Sequence, residues 1–276
     1  MKNNIIELIG NLTGPTSIIL VGVHGNERCG VEALDTLLPK LAIKNGRVLI
    51  AYGNPRAIEQ NVRFTDMNLN RAFKDTSLYS KAEQANYEYQ RAQFLKPYLN
   101  QADVLLDIHA STTPNSQPFI ICENNALEIV KYLPFELINS GFDTLHPGGT
   151  DSYMNNLGKI GICVECGYLE DPLSVKKAEE SILAFLVALG HIDGLPKITK
   201  QSRIKFDSIY FTKTNNFRLA KEFKDFEKIS KGQLIGTDGL EEVKASSSGI
   251  IIFAGNHNSI GSEAFVFGQA IKNPML

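Results

Sequence analysis

The sequence lacks any apolar run long enough to cross a bilayer, which takes about 20 residues, and it lacks a charge excess of either sign. Lysine and arginine number 28 against 30 aspartate and glutamate, for a net charge of −2. No global field draws such a chain to nucleic acid or to an anionic membrane, although a local basic site stays open. The first residues, MKNNIIELIGNLTG, hold one lysine and a short apolar stretch, without the core or the cleavage pattern of a signal peptide. Cysteine is scarce: Cys29, Cys122, Cys163 and Cys166 are the four. Repeats and low-complexity tracts are absent. The expectation is a cytoplasmic protein with reduced thiols.

What is there suits a globular fold. The chain has 276 residues and is 43% hydrophobic, enough for one large domain or for a medium and a small one. Residues 17–23 form a continuous, β-branched apolar run, the pattern of a strand buried on both faces. After it come His24-Gly-Asn-Glu27 and then Val31, Leu34, Leu37 and Leu38 at helical spacing. Residues 47–52, 103–109, 118–122 and 160–166 read as further strands. Residues 79–99 and 173–190 read as helices, the former on the surface. This alternation predicts an α/β domain with a mostly parallel central sheet and flanking helices over residues 1–196. Beyond Gly194-Leu-Pro196 the strands read as short and the turns as glycine-rich, so 197–276 reads as a small all-β domain.

Sites in parallel sheets form beyond the carboxyl ends of strands, where His24, Asn54 and His109 all fall. If a helix starts at once after His24, then His24 and Glu27 share one face and can grip one cation. Gly25 between them would permit a tight turn and leave room at the metal. His109 is the natural third ligand, and two histidines with one carboxylate suit a catalytic zinc, one ion per chain, with a position open to water. Of the other histidines, His146 before Pro147 is a candidate to line the site, and His191 reads as a helix cap.

Two further clusters carry chemistry. In the stretch from Arg63 to Arg71, Arg71 with Asn70 suits a substrate carboxylate, and Arg63 suits a developing oxyanion. The alternative is a solvated loop whose arginines pair with local acids. Glu165 lies inside the apolar run Ile160-Gly-Ile-Cys-Val-Glu-Cys-Gly167, where an unpaired acid is expensive. It is either one half of a structural salt bridge or a general base with a raised pKa. Cys163 and Cys166 form a lone C-x-x-C and read as strand residues.

Together, Gly22-Val-His-Gly-Asn-Glu27, Asn54-Pro-Arg-Ala57, Arg63 with Asp66-Met-Asn-Leu-Asn-Arg71, Asp107-Ile-His109 and Val164-Glu-Cys-Gly167 resemble the succinylglutamate desuccinylase/aspartoacylase family, relatives of the zinc carboxypeptidases. Coverage is most of 17–195. The resemblance implies an amidohydrolase acting on a small N-acyl amino acid. In it His24, Glu27 and His109 hold zinc and Glu165 is base and then acid. Arg63 holds the oxyanion, and Asn70 and Arg71 grip the carboxylate, with Asn54 counted among the substrate-binding positions. Asp66 and Asp107 are candidates to orient a ligand histidine.

Two departures stand out. Aspartoacylases carry an arginine shortly before the catalytic glutamate. Here Asp151 to Lys159 contains none, which counts against N-acetylaspartate, and Lys159 is the substitute available. The family often has an acid where this chain has Asn68. A carboxypeptidase acting on short peptides is the runner-up. A lipoyl-type carrier role for the C-terminal domain finds no Met-Lys-Met sequence, and an inactive metal-binding relative would have no use for Glu165. No nucleic-acid or membrane partner is expected, and a homo-oligomer stays open.

Overall fold

The computed structural model describes residues 5–271. The first four residues of the N-terminal stretch and the last five of the C-terminal domain lie outside that range.

The apolar runs form the strands that their composition dictates. The first half holds β1 (Ile6–Ile9), β2 (Leu12–Val21), β3 (Asn45–Tyr52), β4 (Val104–Ser111), β5 (Phe119–Cys122), β6 (Leu137–Ser140) and β7 (Ile160–Tyr168). Around them lie α1 (Cys29–Leu37), α2 (Pro55–Gln60), α3 (Lys81–Gln84), α4 (Tyr87–Leu99), α5 (Leu127–Val130), α6 (Phe142–Leu145), α7 (Thr150–Asn156) and α8 (Leu173–Ala188). The rest is all strand among the described residues: β8 (Ser202–Phe211), β9 (Phe217–Leu219), β10 (Glu227–Ile229), β11 (Leu234–Asp238), β12 (Glu241–Lys244), β13 (Gly249–Ile252) and β14 (Glu263–Ala270).

One mixed sheet runs through the molecule in the order β1-β3-β2-β4-β7-β5-β6-β8-β14-β13-β10. Its centre, β3-β2-β4-β7, is parallel throughout. β5 runs antiparallel to β7, and β6 is parallel to both β5 and β8. A second, antiparallel sheet holds β12, β11 and β9. The sheet therefore continues across residue 196. β8 and β14, at ten and eight residues, are not short, contrary to the expectation for this region. The turns do need glycine: Gly232, Gly239 and Gly261 all have positive φ.

Period-two alternation decides which side chains meet. On β4, Val104, Leu106, Ile108 and Ala110 pack on the face covered by α1 and α8, with Leu34, Ile182 and Phe185. Leu105 packs on the other face with Ala92, Leu95 and Leu99 of α4. Each such buried Leu, Ile or Phe contributes about 1.5–3 kcal/mol. By the same alternation Asp107 and His109 share the Leu105 face. On β7, Val164 and Cys166 join the first core, which turns Glu165 to the opposite side.

The helix read over 79–99 is two helices, with Asn86 as the N-cap position of the second. α4 is half core and not a surface helix, since Glu88, Tyr89, Arg91, Ala92, Leu95 and Leu99 are buried. No helix of the described residues is long and apolar enough to cross a membrane.

Candidate metal centre and substrate cavity

β2 ends at Val21, and Gly22 turns the chain with φ +65°. The helix does not start at once: α1 begins at Cys29. A tight turn, with Glu27 N–H donating to the His24 carbonyl at 3.2 Å, brings the two side chains to one side. Gly25 is needed for packing rather than for room at the metal. A Cβ there would stand 2.1 Å from the Ala57 carbonyl carbon at the start of α2.

His24, Glu27 and His109 meet, all buried, and one ligand atom from each lies within 4.8 Å of the others. Glu27 Oε2 is 2.8 Å from His109 Nδ1, and Glu27 Oε1 is 2.7 Å from His24 Nδ1. That second contact lacks hydrogen-bond alignment, so His24 Nδ1 is a buried nitrogen without a hydrogen bond. Two imidazoles and a carboxylate converging around such an atom fit a divalent cation that takes nitrogen and oxygen donors.

Each far nitrogen faces an oxygen of a neighbouring side chain, the arrangement that orients metal-ligating histidines. His24 Nε2 is 3.1 Å from Asn68 Oδ1, so the amide at the position where the family often has an acid orients this ring. His109 Nε2 lies 3.1 Å from Asp107 Oδ2 but without hydrogen-bond alignment, and that oxygen accepts from Thr150 Oγ1. Asp66 lies elsewhere: it accepts from Tyr87 N–H at 2.9 Å at the start of α4.

Electrostatics follow from this crowding. Burial works against ionisation of Glu27, yet His24 and His109 outweigh it and hold the carboxyl well below its usual range. Burial opposes protonation of His109, but Asp107 and Glu27 drive its pKa well up. Burial brings His24 down. Glu165, abreast of His109 in the β4–β7 register, is pushed up to about 8 by burial and by Glu27. Its Oε2 has no hydrogen-bond partner.

The signs give a prediction. Groups whose folded pKa is raised, here Glu165 and His109, stabilise the cation-free protein at low pH, and that stability is lost as pH rises toward the folded values. A cation must displace the proton of His109, and its charge favours loss of the Glu165 proton beside it. The rise in melting temperature on adding zinc is therefore expected to be larger at pH 8 than at pH 6. A thermal melt at both values checks it, and an equal or smaller increment at pH 8 contradicts it.

These residues floor a cavity of about 380 Å³. Arg63, Asn70, Arg71, His146 and Glu165 line it, joined from the C-terminal region by Phe253, just after β13, and Glu263, at the start of β14. Arg63 Nη1 donates to Glu27 Oε1 at 2.8 Å. Asn70 Oδ1 accepts from Thr150 N–H at 3.3 Å. Phe253 has φ +56°, rare for a bulky residue, and its N–H donates to Asp225 Oδ1 at 2.8 Å.

Two sequence expectations are corrected. Asn54 is fully buried and does not line the cavity. It caps α2 through Ala57 N–H and donates to Glu88 Oε1. Lys159 Nζ donates to the carbonyls of Asn100 and Ala102, at the end of the sheet away from the cavity.

Three roles were less visible in the sequence. Buried Glu88 accepts from the N–H groups of Thr65, Asp66 and Met67 and so shapes the loop that carries Asn68, Asn70 and Arg71. His146, only a candidate from sequence, has its Nδ1 2.7 Å from Arg71 Nη2. Glu263 on β14 also pairs with Arg71. Burial would raise the Glu263 carboxyl, but His146 and Arg71 overcome it and bring it to about 2.

The family model of the Succinylglutamate desuccinylase/Aspartoacylase catalytic domain matches residues 13–189. The chain belongs to the succinylglutamate desuccinylase/aspartoacylase family. Among its relatives, an N-acyl-aromatic-L-amino acid amidohydrolase (carboxylate-forming) of Rattus norvegicus is 31% identical over 248 residues, 78% of this chain and 76% of that protein. The protein of the same name from Xenopus tropicalis is 28% identical, over 59% of this chain and 56% of its own length. Among solved structures of this family, the succinylglutamate desuccinylase of Vibrio cholerae superposes with a TM-score of 0.79 at 18% identity, covering 99% of this chain and 88% of that one. The family's α/β fold, with its large sheet and small antiparallel sheet, is thus shared.

Proposed function

We propose that this chain is a zinc-dependent amidohydrolase that cleaves the amide bond of a small N-acyl amino acid. The observation that carries the reading is the convergence of His24, Glu27 and His109 on the floor of a cavity also lined by Glu165 and Arg63. The donor set, two histidines and a glutamate, is that of zinc carboxypeptidases. Zinc held there supplies a Lewis acid for the scissile carbonyl and lowers the pKa of a bound water from about 16 to about 7.

The chain's own residues do the rest. Glu165 accepts the proton as water adds to the carbonyl and delivers it to the departing amine. Arg63 offers donors to the developing oxyanion beyond the one it uses on Glu27, since a guanidinium carries five. Asn70 and Arg71 grip the amino-acid carboxylate. Buried, unpaired cysteines are consistent with a reducing, cytoplasmic setting.

The substrate side chain is read as apolar. Ile121, Phe142, Phe253, Phe265 and Val266 contribute to the wall, and Lys159 is turned away from it. A second substrate carboxylate would be desolvated without a dedicated partner. Residues of the C-terminal region line one side of the cavity, and its volume of about 380 Å³ supports a small substrate over a long peptide. Purified protein is expected to hold about one zinc per chain and to favour N-acetyl-L-phenylalanine over N-acetyl-L-aspartate by about tenfold or more in kcat/KM. Faster cleavage of short peptides would favour a carboxypeptidase instead, and preference for N-acetyl-L-aspartate would overturn the side-chain reading.

A further inference from the structure

Arg71, the residue assigned above to the substrate carboxylate, is already occupied. Its Nη2 lies 3.3 Å from both carboxylate oxygens of Glu263 and 2.7 Å from His146 Nδ1. Its Nη1 donates to the Asn70 carbonyl at 2.9 Å. The three partners come from separate parts of the chain. Glu263 opens β14, His146 follows α6 with its ring stacked on Phe142 at 5.6 Å, and Asn70 sits beside Arg71 in the short 3-10 helix Leu69–Arg71.

A guanidinium grips a carboxylate best through two parallel N–H groups. Nη2 has two hydrogens, and both are engaged, one toward His146 and one shared by the oxygens of Glu263. A bidentate grip that uses Nη2 therefore needs Glu263 to leave. Glu263 is free enough to do so, since its side chain is 39% exposed and lies at the cavity edge.

We propose that Glu263 is an internal stand-in for the substrate carboxylate, held on Arg71 in the substrate-free protein and displaced when an N-acyl amino acid binds. Glu263 is thus a residue that sets affinity and carboxylate selectivity. The inference rests on the reading of Arg71 as the carboxylate anchor.

The test is Glu263→Gln, which keeps the shape and removes the competing charge. KM for an N-acyl amino acid is expected to fall about two- to fivefold, the scale of a partly exposed ion pair. The corresponding amino-acid amide, which has no carboxylate, is expected to show no fall. Glu263→Ser serves as the second variant, with a melting curve for each, and has to move KM in the same direction. An unchanged or raised KM, or an equal fall for the amide, overturns the proposal. Arg71→Ala separates the two levels. If it leaves KM for the acid unaltered, the anchor reading itself fails. If it raises KM while Glu263→Gln does not lower it, only the stand-in role fails.

Discussion

Glu165→Gln is expected to lower kcat by about 10²–10⁴-fold, the range for removal of a general acid–base, with zinc content unchanged. Glu165 is abreast of His109 on the neighbouring strand, lines the same cavity and is not one of the three converging ligand residues. Its Oε2 has no hydrogen-bond partner, so the structure offers that oxygen no structural salt bridge. A carboxyl brought to about 8 by burial and by Glu27 is mostly protonated at neutral pH. A cation beside it favours the ionised form, which is the form a base must take. Glutamine resembles the protonated acid in size and charge, so the fold of the cation-free protein is expected to survive. Steady-state kinetics at matched zinc content decide the matter, and equal turnover in the two proteins would remove Glu165 from the chemistry.

The sheet centre was legible because a strand buried on both faces needs a mostly apolar run, and β2, β3, β4 and β7 carry one, interrupted in β4 by Asp107 and His109 and in β7 by Glu165. The convergence of His24, Glu27 and His109 was legible for a partly mistaken reason. Spacing pointed to His24 and Glu27 on a helix face, whereas a turn ahead of α1 does the aligning. Asn54 was misread although its signal was local: asparagine followed by proline marks an N-cap and first helical residue, and that is its place in α2. Glu263 left no trace at all. Its partner Arg71 is 192 residues away, and nothing in a strand beginning Glu-Ala-Phe tells which element it will face. The same limit hid the pairing of β8 with β6. Alternation reveals which residues of a strand point inward, while the identity of the neighbouring strand is settled only by the packing of the whole chain.

Loss of a ligand should exceed loss of its support, and this ordering is the sharpest test of the metal centre. His109→Ala is expected to abolish zinc retention through dialysis and to bring turnover to background. Asp107→Asn, which leaves His109 in place and alters the group facing its Nε2 and the acceptor of Thr150 Oγ1, is expected to weaken zinc by about 10–100-fold. The alanine change has a second cost. Glu27 is buried and is paired with His24, His109 and Arg63, so removing His109 strips a charge partner from an interior carboxylate. Breaking a buried pair in this way costs about 3–5 kcal/mol, so the variant is also expected to melt earlier without any metal. Measuring zinc per chain and melting temperature separates these effects: destabilisation alone would lower the melting point yet leave zinc bound to the folded fraction. If His109→Ala retains zinc as tightly as Asp107→Asn, then His109 is not a ligand. The buried cluster would be an ion-pair network of the core, and the hydrolytic reading would lose its metal.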